Sequence, residues 1–390
     1  MENNRKPKVV FNFVEAGMGH IAPATAISDA FDKKYGDKCE VIRCKFFTED
    51  NDKDLIAVQE GVVADTKKQA TSKLHALFME YGPKLIGGKL SRKVTDGHFK
   101  KGTIKGIEKI RNMQPDLVFN TYCFTGHYAV MARKKYNMDM IIGTYVPDPI
   151  VHEGWDREGD LFFACNSRAF KIANKKRHKD RVFQVPFAYR KEACEITLSK
   201  DEMRKKLGLP LDKFTIFLCD GAYGQKNLKS FTEALIKLNE KITVISVCGK
   251  NTELFEYLKS IKDTANENVT FVPLGFVTNM LEYNCASDLF VGKGGANATC
   301  ESYYFGNPVI VSSFANNLEK YTSDFYIKEL KYGKIIFNKN KFIKEILNII
   351  HNPDVLNEYR ENLKAMHDNT GAEKIADVLF EELKKKFPNL

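Results

Sequence analysis

Asp288-Leu289-Phe290-Val291-Gly292-Lys293-Gly294-Gly295-Ala296-Asn297-Ala298-Thr299-Cys300-Glu301 is the stretch on which the reading of this chain turns. An apolar run that reads as a strand enters a glycine-rich turn, and a helix holding Glu301 follows. Backbone N–H groups at such a helix start cradle a diphosphate. A carboxylate in the first turns of the helix is placed to accept both ribose hydroxyls of a nucleotide. Strand, glycine turn and helix in this order form the repeating unit of a parallel α/β sheet.

The same unit opens the chain. The strand Lys8 to Val14 ends in Gly17-Met18-Gly19-His20, and a helix follows with Pro23 near its first turn and Ala26, Ile27, Ala30 and Phe31 on one face. Gly17-x-Gly19-x-x-Ala22 fits a dinucleotide fingerprint. The next strand, Cys39 to Phe46, carries Arg43-Cys44-Lys45 where an NAD site wants an acid about 20 residues on; NADP tolerates these basic residues, so the motif does not exclude a dehydrogenase. His20 falls where a helix start meets the carboxyl ends of parallel strands. The helix dipole there favours a neutral imidazole, which can take a proton from a hydroxyl.

Further strands are expected at 116–120, 140–146, 161–165 and 181–185, with a mostly helical stretch from 54 to 110 broken at Gly82-Pro83 and Gly87-Gly88. Ser199 and Glu202 form a capping box at the start of a helix that ends at Gly208. The second half then restarts. A strand at 215–219 leads to Asp220-Gly221-Ala222-Tyr223-Gly224, and strands at 243–248, 269–273, 289–291 and 308–311 follow. Helices close the chain at 341–366 and 372–386. A third constellation follows the 140–146 strand: Asp148 and His152 can act as base or orient an acceptor, and Trp155, the only Trp, offers a flat face.

Size and composition agree with this doubled plan. The 390 residues exceed one ordinary core, and 43% apolar residues supply two. Nine scattered cysteines without a CxxC pair read as reduced, buried thiols in a cytoplasmic protein, and no metal site is expected. No signal peptide or membrane span is read, so membrane contact would be peripheral. The net charge is +10, and from Glu60 to Arg111 twelve Lys/Arg stand against five Asp/Glu. A second basic cluster runs from Arg168 to Arg181. A charge of this sign makes nucleic acid, anionic membranes or phosphorylated ligands plausible partners, and of these no nucleic acid is expected for this chain.

These segments, in this order, resemble GT-B glycosyltransferases. More narrowly, they resemble the family that holds the diacylglycerol glycosyltransferases (monogalactosyldiacylglycerol synthase and the processive diacylglycerol glucosyltransferase) and the lipid II-forming peptidoglycan transferase. The likeness covers nearly the whole chain. Gly17 to His20 resembles the acceptor-domain turn of that family, and Asp148, His152 and Trp155 stand at its D-x3-H-x2-W spacing. Gly221 to Asn227 resembles the glycine loop that opens the donor domain. Gly275 to Met280, with Phe276 and Val277, resembles the stretch whose backbone reads uracil. Lys293 to Glu301 resembles the diphosphate and ribose site.

The resemblance implies an α/β, GT-B fold of two Rossmann-like domains with a cleft between them. Residues 1–190 would form a membrane-facing acceptor domain and 191–370 a UDP-sugar donor domain, with 371–390 as a terminal helix packing back toward the first. It implies an inverting transfer of a hexose from a UDP-sugar to a membrane lipid such as diacylglycerol, without a cofactor, at the inner face of the cell membrane. His20 or Asp148 would be the base, with His152 beside them, and Gly17, Gly19 and Trp155 would hold the acceptor. Gly221, Ala222, Tyr223, Gly224, Phe276, Val277, Gly294, Gly295, Ala296, Asn297, Ala298, Glu301, Glu319 and Lys320 would hold the donor. Relatives carry Thr where this chain has Ala298, and Glu319-Lys320 stands in place of a Gln-rich sugar-reading motif. A polyprenyl-linked or soluble acceptor is the alternative within the same chemistry. A UDP-sugar epimerase, a nucleotide-sugar binder without catalysis and an NADP dehydrogenase are the other classes weighed.

Overall fold

The computed structural model describes residues 5–15, 18–72, 74, 81, 88–175, 179–221 and 226–390. The chain folds as two compact units. One comprises Met1–Arg190, Asn316–Leu318 and Asn369–Leu390, and the other Lys191–Ala315 and Glu319–Asp368.

The first unit is built on six parallel strands: β1 (Lys8–Phe13), β2 (Glu40–Lys45), β3 (Leu117–Asn120), β4 (Ile141–Val146), β5 (Leu161–Ala164) and β6 (Val182–Gln184). They lie in the order β2-β1-β3-β4-β5-β6. The chain therefore winds outward from β1 in one direction, then returns and winds from β3 in the other. The β1/β3 junction is a topological switch point, where the loops leaving two adjacent strands diverge and open a crevice. Central strands are buried along their length, as in β3 and β5, which is why they read as apolar runs rather than alternating ones. The terminal helix Gly371–Lys386 packs on the helix Met18–Tyr35. Tyr35 stacks on Phe380 with ring centroids 3.9 Å apart, and Tyr35 Oη donates to Asp377 at 2.7 Å.

The second unit repeats the plan with β7 (Phe214–Cys219), β8 (Ile242–Val247), β9 (Val269–Leu274), β10 (Leu289–Lys293), β11 (Val309–Ser313) and β12 (Gly333–Ile335), in the order β12-β11-β10-β7-β8-β9. All its pairs are parallel, and its switch point lies between β7 and β10. The expected capping box is present: Ser199 accepts from Glu202 N while the Glu202 carboxylate accepts from Ser199 N. The expected helix 341–366 divides into Lys339–His351 and Pro353–Leu363. Pro353 has no N–H to continue the ladder but suits the first turn of a new helix. Strand β12 is absent from the sequence reading. It has three residues, and Gly333 lies so close to β11 that a side chain there would begin 1.9 Å from the Val309 carbonyl oxygen.

Candidate functional site

At the first switch point, β1 delivers His20 and β3 delivers Thr121. His20 stands in the first turn of the helix Met18–Tyr35. Its Nδ1 lies 2.7 Å from the Thr121 carbonyl oxygen, and Thr121 Oγ1 donates to the His20 carbonyl at 2.9 Å. A carbonyl only accepts, so the proton sits on Nδ1 and the Nε2 lone pair is left for other work. Burial pushes the imidazole down to about 4, against a smaller opposing effect of the Thr121 bond. The ring meets that of Tyr122 edge-on at 4.8 Å. The pair of bonds gives a neutral, oriented imidazole of the kind a general base requires. A side chain at Gly19 would enter open space. Gly17 lies outside the described residues.

The loop after β4 carries the other acceptor-side candidates. Asp148 is half-buried and His152 exposed. His152 Nδ1 accepts from Gly154 N at 3.1 Å, so in the neutral ring Nε2 carries the hydrogen. Trp155 departs from expectation. It is 2% exposed and belongs to a core cluster with Cys123, Val146, Val151 and Phe162. With its ring enclosed by these apolar neighbours, Trp155 is a packing anchor and not a platform for an acceptor. The neighbouring Asp156, which sequence reasoning passed over, ties the loop down. It accepts from Thr144 Oγ1 at 3.0 Å and from Gly159 N at 2.8 Å and is 1% exposed. Its place directly after Trp155 was the available signal.

At the second switch point, β7 delivers Asp220-Gly221 and β10 delivers Lys293 and the helix Ala296–Tyr304. The backbones approach closely: a side chain at Gly292 would begin 2.2 Å from the Cys219 carbonyl oxygen, and one at Gly294 2.4 Å from Ser323 Oγ. Gly221 has φ +80°, and the side chain of Lys293 lies over it, Cε 3.0 Å from where a Cβ would stand. The Lys293 ammonium is held by Glu319 Oε1 at 2.9 Å, and Glu319 Oε2 accepts from Ala315 N at 2.6 Å. Glu319 is therefore buried, with both carboxylate oxygens engaged inside the unit, while Lys320 is exposed.

Gly295 caps the helix Ala296–Tyr304, and Ala296, Asn297 and Ala298 form its partly exposed first turn. Thr299 Oγ1 donates to the carbonyls of Gly295 and Ala296, so it does not replace the hydroxyl that Ala298 lacks. Glu301 is 5% exposed, Phe276 is 65% exposed and Val277 is half-buried. Ala222, Tyr223 and Gly224 lie outside the described residues. A lysine ammonium, glycine backbone and a helix start converging at one switch point are the groups from which an anion site can be built.

Residues 215–379 match the glycosyltransferase family 28 C-terminal domain. The chain is 26% identical over 291 residues to the processive diacylglycerol beta-glucosyltransferase of Bacillus licheniformis, covering 73% of each chain. It is 25% identical over 366 residues to the probable chloroplastic monogalactosyldiacylglycerol synthase of Nicotiana tabacum, covering 90% of this chain and 65% of that one. Its fold is similar to the crystal structure of MurG from Acinetobacter baumannii, with a TM-score of 0.65 at 13% identity over 97% of this chain and 100% of that one. The chain has the GT-B fold and is a glycosyltransferase. The matched residues span the second switch point whole, from β7 through Glu301 and Glu319.

Proposed function

We propose that this glycosyltransferase moves a hexose from a UDP-sugar to the hydroxyl of a membrane lipid, diacylglycerol in the simplest case, with inversion at the anomeric carbon. The observation that carries the reading is the His20 imidazole, neutral and tied through Nδ1 to the Thr121 carbonyl so that Nε2 is a base. The acceptor hydroxyl gives its proton to His20 Nε2 and attacks the anomeric carbon in line. Asp148 and His152 orient that hydroxyl. The carbon–oxygen bond to the diphosphate breaks, and the negative charge gathers on the leaving UDP. Lys293, the backbone of Gly221, Gly294 and Gly295, and the helix start at Ala296 to Ala298 meet that charge. Glu301 accepts the ribose hydroxyls, and Phe276 and Val277 border the base. The reaction as drawn uses no cofactor. Glu319 acts on the donor through Lys293, whose ammonium it holds in place.

The acceptor reading rests on the relatives' lipid acceptors and on the surface of the first unit. Leu90, Val94 and Ile104 are 52%, 59% and 40% exposed, and Lys93, Lys100, Lys101 and Lys105 are exposed beside them in sequence. Exposed apolar side chains among lysines suit an anionic lipid surface. Among the described residues no helix is long and apolar enough to cross a membrane. We place the protein at the cytoplasmic, inner face of the cell membrane as a peripheral enzyme.

The test is release of UDP from UDP-glucose or UDP-galactose by the full chain, with and without vesicles of phosphatidylglycerol containing diacylglycerol. UDP release and glycolipid formation only with diacylglycerol are expected. Release with a water-soluble acceptor and no vesicles would replace the lipid reading. Binding of UDP-sugar without turnover on any acceptor would leave a nucleotide-sugar binder.

A further inference from the structure

Asp220 is the charged residue at the second switch point that the transfer as drawn does not use. It follows β7 and is 4% exposed. Its Oδ1 accepts from Ser312 Oγ at 3.0 Å and from Ser313 Oγ at 3.3 Å. Both serines belong to β11, so the carboxylate reaches past β10 to the next strand but one. Its Oδ2 is buried without a hydrogen-bond partner. A buried carboxylate oxygen left without a donor is costly, so a fold that retains one calls for an explanation, and a functional role is among them.

The charges around it define that ligand. Lys293 faces Asp220 from β10 and Glu319 faces it from the helix Asn317–Ser323. The two serine hydroxyls face it from β11. Cys219 on its own strand is a neutral thiol, pushed up to about 11 by burial. Burial, with Glu319 in support, holds the Asp220 carboxyl above the usual carboxylate range, against the serine bonds and Lys293. Lys293 in turn lies over Gly221 and beside Gly295, where the donor diphosphate is placed above. A diphosphate arriving there is repelled by a carboxylate and accepts a hydrogen bond from a carboxylic acid.

We propose that Asp220 takes up a proton from solvent as the diphosphate of the nucleotide-sugar enters, and presents Oδ2–H to a diphosphate oxygen as a neutral donor to the leaving group. The inference rests on the donor reading of this site. No bond to Asp220 forms or breaks during transfer. The electron pair of the broken bond goes to the diphosphate oxygen, and the acceptor's proton goes to the base. The proton on Oδ2 stays there until the nucleoside diphosphate leaves, and then returns to solvent.

Titration calorimetry of the full chain with UDP-glucose tests this, near neutral pH in two buffers of different ionisation enthalpy. UDP-glucose has no group that titrates near neutrality, so the dependence of the observed enthalpy on the buffer counts protons taken up by the protein. Uptake approaching about one proton per UDP-glucose is expected. Asp220→Asn keeps a neutral donor, so it should bind within about threefold of the native chain and take up no proton; Asp220→Ala should bind about tenfold more weakly or worse. Binding by the native chain without proton uptake overturns the proposal, as does uptake that persists in Asp220→Asn. If Asp220 only pins Ser312 and Ser313, both variants lower the melting temperature while the native chain shows no uptake. Failure of the native chain to bind UDP-glucose, UDP-galactose or UDP-N-acetylglucosamine is a different result, and removes the donor reading itself.

Discussion

His20 draws its chemistry from two bonds and its burial. The Thr121 carbonyl selects the tautomer, and burial holds the ring neutral down to about pH 4. A folded-state value depressed below the ordinary 6.5 means that the unfolded chain binds the proton more readily. The stability linked to this ring is thus complete above about pH 6.5 and is lost as pH falls toward 4. The acid limb of kcat/KM should lie near 4, and a limb near 6.5 would show that the imidazole is not held neutral by burial. His20→Ala should lower kcat by about 10²-fold or more, the usual worth of a general base, with UDP affinity unchanged. Near-normal turnover would move the base to Asp148. On the donor side, Glu301→Ala should weaken UDP binding by about 1.5–3 kcal/mol through loss of a charged acceptor for the ribose. Equal UDP affinity in the two proteins, measured by calorimetry, would sink that role.

Among elements, the loop after β4 shows how a candidate site stretch is held by buried neighbours. Trp155 fills the core beneath it and Asp156 bonds to Thr144 on β4. Trp155→Ala should destabilise the first unit by about 3–5 kcal/mol, the range for a buried aromatic truncated in a packed core. Thermal unfolding checks it. A variant that melts normally but loses acceptor affinity would restore Trp155 as a binding residue. The sequence alone could not make this choice, because D-x3-H-x2-W gives spacing and not the direction of the indole. Its strands were better signalled. Strands buried along their length, such as β3, β5 and β8, appear as unbroken apolar runs and could be read, whereas three-residue β12 at the sheet edge left no run to see. Strand order was not legible either, and with it went the two switch points that pair His20 with Thr121 and Gly221 with Lys293. The inward turn of Glu319 was likewise invisible. Its partners, Lys293 and the Ala315 amide, come from a neighbouring strand and the loop before its helix.

Charge is unevenly spread over the whole molecule. The segment Glu60 to Arg111 alone carries an excess of seven positive charges in a chain of net +10, and it lies wholly in the unit that bears His20. Each lysine close to an anionic leaflet contributes about 1 kcal/mol, and that attraction fades within a Debye length of about 10 Å at 0.1 M salt. Binding to phosphatidylglycerol vesicles in a sedimentation assay should therefore weaken steeply as salt is raised. Lys93, Lys100 and Lys101 replaced together by Gln should weaken it by about tenfold or more, even after discounting for incomplete contact. Leu90→Glu with Val94→Glu should weaken it at high salt as well, because apolar insertion is not screened. UDP affinity, on the proposed function a property of the other unit, should stay unchanged in both variants. Vesicle binding that ignores salt and all these substitutions would move the membrane surface away from this segment, while leaving the donor chemistry of Lys293 to Glu301 untouched.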